Sequence, residues 1–141
     1  MLSPGAVQIF YGDENARPQG SGMFTSDPVQ GYRSDYKWGE NPEVLRHWQK
    51  LGQFRRNHPA VGAGKQLKIR DNAYARTFEQ GKYKDRVIII ISENNEEIIE
   101  VGSVFKNGEL VRNFYDGIIE EVIDGKVKFK PSNSIILLES F

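Results

Sequence analysis

Residues 107–130 read NGELVRNFYDGIIEEVIDGKVKFK. Asn107-Gly108, Asp116-Gly117 and Asp124-Gly125 each stand between β-favouring runs, where glycine tolerates the positive φ that tight hairpins demand. Three such turns in succession predict a meander. In the last segment lysine alternates with apolar residues, so Val127 and Phe129 face a core while Lys126, Lys128 and Lys130 face water. Outward from this stretch the pattern continues. Residues 74–79 alternate, 87–91 form a continuous apolar run suited to a central strand, 98–101 extend the series and 135–138 end it. From about Lys65 onward no window has helical spacing. Residues 61–141 therefore read as an all-β domain: an antiparallel Greek-key β-sandwich of two sheets, each with one buried side, closed by a return of the last strand.

The first sixty residues have a different character. AVQIFYG, residues 6–12, mixes β-branched and aromatic residues and stops at Gly12, the pattern of a strand buried on both faces. Gly12 through Gly39 contains Pro18, Gly20, Gly22, Pro28 and Gly31, and an irregular stretch of that length points to a functional loop. Asn41-Pro42-Glu43 then reads as an N-cap, a proline at the first helical position and an early acid. Val44, Leu45, Trp48, Leu51 and Phe54 follow on one helical stripe, and His58-Pro59 ends it. A single strand-loop-helix unit cannot bury both faces of its own strand, so the strand's neighbours are expected outside this sequence.

Composition narrows the function classes. The 141 residues carry 19 basic and 19 acidic side chains, so a clustered cationic footprint for nucleic acid is not expected. The longest apolar run is too short to span a bilayer, and the N-terminus has no basic segment followed by an apolar core, so neither a membrane partner nor a signal peptide is read here. Cysteine is absent, which excludes disulfides and thiolate chemistry but leaves the compartment open.

SPGAVQIFYGDENARP at 3–18, SDPVQGYRSDYKW at 26–38 and HWQKLGQFRRNHPAVGAGK at 47–65 together resemble the end of alpha-amylases, most of all the periplasmic bacterial kind. SNSIILLES at 132–140 is similar to the end of their C-terminal domains. The resemblance implies that residues 1–60 are the last βα unit of a catalytic (β/α)8 barrel, incomplete here, and that 61–141 are the all-β domain after it. It also implies a parent glycoside hydrolase that cleaves internal α-1,4-glucosidic bonds of starch or maltodextrins, in the periplasm or secreted. In such barrels the active site is built from loops at the C-terminal ends of the strands.

Retaining glycosidases need two carboxyl groups about 5 Å apart across the scissile bond. In the alpha-amylase family these follow the fourth and fifth strands, with a third after the seventh. The present chain begins at what resembles the eighth, and no match to the earlier motifs occurs in it. It is therefore expected to be inactive alone, with no catalytic residue of its own.

What remains is substrate positioning. The family's loop after the eighth strand carries Asp-Pro followed closely by Arg. Asp27-Pro28 and Arg33 fit that pattern as groups that hydrogen-bond sugar hydroxyls, or that only tie the loop together. Trp38 is the aromatic candidate for a glucose face, with Tyr11, Tyr32 and Tyr36 beside it in the sequence, although packing of the loop explains them equally. Asp13 and Glu14 leave the strand in different directions and are expected to hold the turn rather than form a catalytic dyad.

His47 and His58 have no second ligand at metal spacing and read as structural. Glu93, Glu96, Glu97 and Glu100 read as a solvated, charged sheet edge rather than a calcium site. No cofactor is expected in this chain, and calcium is left to the remainder of the parent enzyme. The expected partners are the rest of the barrel and an α-glucan, with self-association through the orphan strand as a further route. The competing reading is a non-catalytic carbohydrate-binding β-sandwich module, with Tyr74, Phe78, Tyr83, Phe114 and Tyr115 as its candidate aromatics.

Overall fold

The apolar run at 87–91 lies in a strand, β3 (Tyr83–Ile91), that is covered on both faces. A computed structural model describes residues 1–17 and 35–141. After a short 3-10 turn at Asp13–Asn15 come α1 (Pro42–Asn57), α2 (Pro59–Ala63), β1 (Lys65–Arg70) and β2 (Ala73–Gln80). Past β3 follow β4 (Glu97–Glu100), β5 (Leu110–Asn113), β6 (Ile119–Glu121), β7 (Lys126–Phe129) and β8 (Ile135–Ser140). Among the described residues one sheet has the order β1-β2-β3-β8-β5-β6 and a second pairs β4 with β7, all antiparallel. The last strand thus returns between β3 and β5, as expected.

The meander is corrected by this topology. Asp116-Gly117 does join the hairpin of β5 and β6. Asp124-Gly125, however, carries the chain from the large sheet to the small one, where β7 pairs with β4 rather than β6. The turn type is a local property, whereas the partner is chosen by burial. Val127 and Phe129 reach the core only when β7 sits across from the large sheet, beside Ile99.

Alternation along β3 and β8 feeds two cores. Ile88, Ile90, Ile136 and Leu138 point toward the small sheet and pack with Ile99, Phe105, Val127 and Phe129. Val87, Ile89, Ile135 and Leu137 point the other way and pack with Leu51, Phe54, Ala60 and Val61 of the two helices. The expectation of one buried side per sheet therefore fails for the large sheet. The reason is that α1 and α2 cover its second face, which is why these strands read as unbroken apolar runs rather than alternating ones.

Helix α1 starts at Pro42, but the side chain of Asn41 makes no capping hydrogen bond. Its amide is used elsewhere, as described below. The chain passes from α2 into β1 at Gly64, where an added Cβ would lie 2.4 Å from the Ala60 carbonyl oxygen and 2.8 Å from that of Thr77. Only glycine fits so close an approach. Residues 6–12, read as a strand, have no ladder partner among the described residues, and Ile9 and Phe10 are about half exposed. A lone segment gains no hydrogen-bond ladder, so its β-propensity alone does not make it a strand. The N-terminus is instead held by arginines. Arg55 donates to the carbonyls of Met1 and Ser3 at 2.8 Å each and to that of Gly5, while Arg76 donates to Leu2 and Val61.

The acidic run also needs one correction. Glu96 and Glu100 are exposed and pair with Lys128 and Lys126 across the small sheet. Glu97 is buried, and its carboxylate accepts from Ser92, Asn94 and Arg70. Those hydrogen bonds, Ser92 first, outweigh the cost of its burial and hold its pKa below the usual carboxylate range.

Candidate functional site

Segment 18–34 carries Asp27, Arg33 and Tyr32, and these candidates lie outside the described residues. The chain on either side of it is described, and it is stitched together by two asparagines. Asn15, at 2% exposure, donates from Nδ2 to the Lys37 carbonyl at 2.5 Å. Asn41 donates from its backbone N–H to Asn15 Oδ1 at 3.3 Å and from Nδ2 to the Asn15 carbonyl at 2.7 Å. This pair was not singled out by sequence, because the N-cap preference already accounted for Asn41. A buried amide joining residues 26 positions apart has no local signature.

Around this junction lie the aromatic side chains. Trp38 is 86% exposed, and its ring centroid is 4.6 Å from that of Tyr36. Tyr11 and Phe10 are in ring contact at 4.9 Å, and the Arg17 guanidinium lies 4.3 Å from the Tyr11 centroid. Gly12 makes that stacking feasible. It has φ 89°, and a Cβ there would fall 2.6 Å from Arg17 Nε. Phe10, Tyr11 and Trp38 thus leave partly exposed aromatic surface on both arms of the junction. Flat, partly solvated rings beside hydrogen-bonding groups suit the apolar faces of sugars.

Glu14 has its carboxylate occupied. It accepts from the Gly12 N–H at 3.0 Å and is hydrogen-bonded to the Tyr36 phenol. Desolvation first, then the Glu14 carboxylate, raises the Tyr36 pKa, so the phenol keeps its proton. Glu14 thus holds the turn, as expected.

A second polar cluster lies at the other end of α1. His58 Nδ1 is 2.8 Å from Asp85 Oδ1, and His58 Nε2 is 2.6 Å from Glu139 Oε2. Asp85 Oδ2 accepts from the Ala60 N–H at 2.8 Å, and Glu139 Oε1 accepts from Arg112 Nε at 2.6 Å. A pair of carboxylates across a ring invites comparison with a glycosidase pair. Glu139 pays for burial, but hydrogen bonds from His58 and Arg112 outweigh that cost and hold its pKa below the usual range. A group kept ionised in this way is no general acid.

Two of the other aromatic candidates pack against α1. Tyr115 is buried, with its hydroxyl 2.7 Å from His47 Nδ1 and accepting from Asn133 Nδ2 at 2.7 Å. Phe114 packs on Phe54 with ring centroids 5.4 Å apart. Tyr83 is about half exposed, and its ring lies 6.2 Å from that of Phe78.

No protein-family model matches the chain. It is 47% identical over 95 residues to the periplasmic alpha-amylase of Escherichia coli strain K12, an overlap of 64% of this chain and 14% of that protein. Two solved structures share its fold: an Anoxybacillus alpha-amylase (TM-score 0.71, 19% identity) and the Geobacillus thermoleovorans alpha-amylase complexed with acarbose (TM-score 0.72, 15% identity). They match 99% and 98% of this chain, which covers 30% of each of them. The chain therefore spans well under half the length of these relatives. By sequence over 95 residues and by fold over nearly its whole length, the chain is similar to alpha-amylases.

Proposed function

We propose that this chain acts within an alpha-amylase-type glycoside hydrolase as its C-terminal part, supplying a substrate-side loop and a β domain that braces it. The observation that carries this reading is the 47% identity to a periplasmic alpha-amylase over 95 residues that make up only 14% of that protein. The substrate is an α-1,4-glucan, starch or maltodextrin. The carboxylates that cleave it come from residues outside these 141, and the parent enzyme works in the periplasm. Residues 6–10 take their place as a barrel strand once neighbouring strands provide a ladder, or pair with a second copy of the chain.

On this reading Asp27 and Arg33 hydrogen-bond sugar hydroxyls, and Trp38 offers its open face to a glucose ring. The Asn15–Asn41 junction holds together the described chain on either side of 18–34. That matters because positioning groups work only when their scaffold is rigid.

Calorimetric titration of the purified chain with maltoheptaose tests it. Trp38→Ala is expected to weaken binding about tenfold, or roughly 1.4 kcal/mol, with no change in thermal stability. If Tyr83→Ala weakens binding and Trp38→Ala does not, the sugar site is on the sheet and the chain behaves as a carbohydrate-binding module.

A further inference from the structure

His58 sits where the two helices meet. Its backbone N–H donates to the Phe54 carbonyl at 3.0 Å and ends α1, and its own carbonyl accepts from Val61 in α2. The ring stacks on Phe54 at 4.6 Å and is largely enclosed, with 12% of the side chain exposed. Each ring nitrogen meets a carboxylate oxygen, Asp85 from β3 and Glu139 from β8. A carboxylate oxygen only accepts, and a neutral imidazole has one N–H to give. Both contacts are satisfied only by the imidazolium.

We propose that His58 is a proton-operated clamp: charged, it fastens the helices to the sheet through Asp85 and Glu139, and on losing its proton it loosens α1 and the chain junction that α1 carries.

The surroundings fit a clamp that can respond. Arg112 of β5 stands behind Glu139, so that carboxylate stays ionised and in place. A cleft of about 640 Å³ opens beside the ring, lined by Glu79 of β2, Lys84, Asp85 and Arg86 of β3, and Lys106 before β5, giving the proton a route to water. On its own element Arg55 and Arg56 lie in the last turn of α1. The carbonyl end of that helix attracts a cation and partly offsets their charge. Burial alone favours the neutral ring. The hydrogen bonds and charges of Glu139 and Asp85 outweigh it and set the His58 pKa above its ordinary 6.5.

The sign follows. A raised pKa contributes stability that is complete below the unfolded value, about 6.5, and lost as pH rises through the folded one. Glu139, with its pKa lowered, acts oppositely: its contribution is complete above the unfolded value, about 4.3, and lost as pH falls through the folded one. The clamp is therefore strongest at mildly acidic pH and releases as pH rises through the folded His58 pKa. Because Asn41 begins α1 and is tied to Asn15, release at His58 reaches the junction flanking 18–34.

The test is a pH titration of the full chain labelled with 15N at histidine and at the backbone. The His58 ring is expected to keep both N–H protons to a midpoint above 6.5, with amides of α1 shifting at the same midpoint. His58→Gln should abolish that transition in α1, and His47→Gln should preserve it. A His58 midpoint at or below 6.5, or α1 amides that do not follow it, overturns the clamp. Should His58→Gln fail to fold, the titration of the unsubstituted chain decides alone.

Discussion

Replacing Phe54 with alanine is expected to destabilise the chain by about 3–5 kcal/mol, the range for emptying a fully enclosed aromatic site. Phe54 is 0% exposed and touches the ring of Phe114 and that of His58 while sharing a core with Leu51, Val61, Val87 and Leu137. It is the residue by which α1 grips the large sheet. The loss has a direction as well as a size. The core between the two sheets, built from Ile88, Ile90, Ile136 and Phe129, does not include Phe54. Guanidinium unfolding should therefore show a lowered midpoint, and amide exchange should accelerate in α1 before it does in β3 and β8. Uniform acceleration throughout would mean that helix and sheet unfold as one unit.

The second large effect is expected at Glu139. Its side chain bridges His58 and Arg112 at 6% exposure, so Glu139→Ala strips the largely buried His58 of one of its two carboxylates and leaves it to Asp85, while the more exposed Arg112 turns to water. Removing one partner of a buried ion pair costs about 3–5 kcal/mol, because the remaining charge keeps its burial penalty. Glu139→Leu should cost less if Asp85 alone can hold the ring, since leucine refills the volume. Urea denaturation at pH 6 measures both variants. As pH rises through the folded His58 pKa and its contact is weakened by proton loss, the gap between wild type and Glu139→Ala should narrow.

Much of the architecture was legible because it is governed by local rules. Helix α1 begins at the proline after Asn41 and ends before His58-Pro59, since proline is welcome in a first turn and disruptive later. The apolar run at 87–91 is the core of the central strand, and Lys126 to Phe129 alternates as its burial requires. The hairpin at Asp116-Gly117 forms where its dipeptide places it. The rest depends on partners distant in sequence. β8 lies between β3 and β5, β7 crosses to β4, and α1 covers a sheet face that composition alone left wet. Glu97 resembles its exposed neighbours until Arg70, Ser92 and Asn94 converge on it.

At the candidate site the division is similar. Trp38 is exposed at the edge of 18–34, which any aromatic in a loop-like stretch suggests. The Asn15–Asn41 stitch and the His58 bridge are invisible in the sequence, because an asparagine before Pro42 and a histidine before Pro59 already have ordinary explanations. His58 reaches Glu139 across 81 positions, and nothing near either residue announces the other. Long-range polar contacts of this kind are found only once the fold brings the strands together.

In the proposed role these residues hold an α-glucan and brace the enzyme but do not cut the sugar chain. The direct measurement is release of reducing ends from soluble starch by the purified chain, followed over hours at mildly acidic to neutral pH. No release above the buffer rate is predicted. Turnover that stays with the protein through further purification would contradict the assignment of the catalytic carboxylates to residues outside the chain.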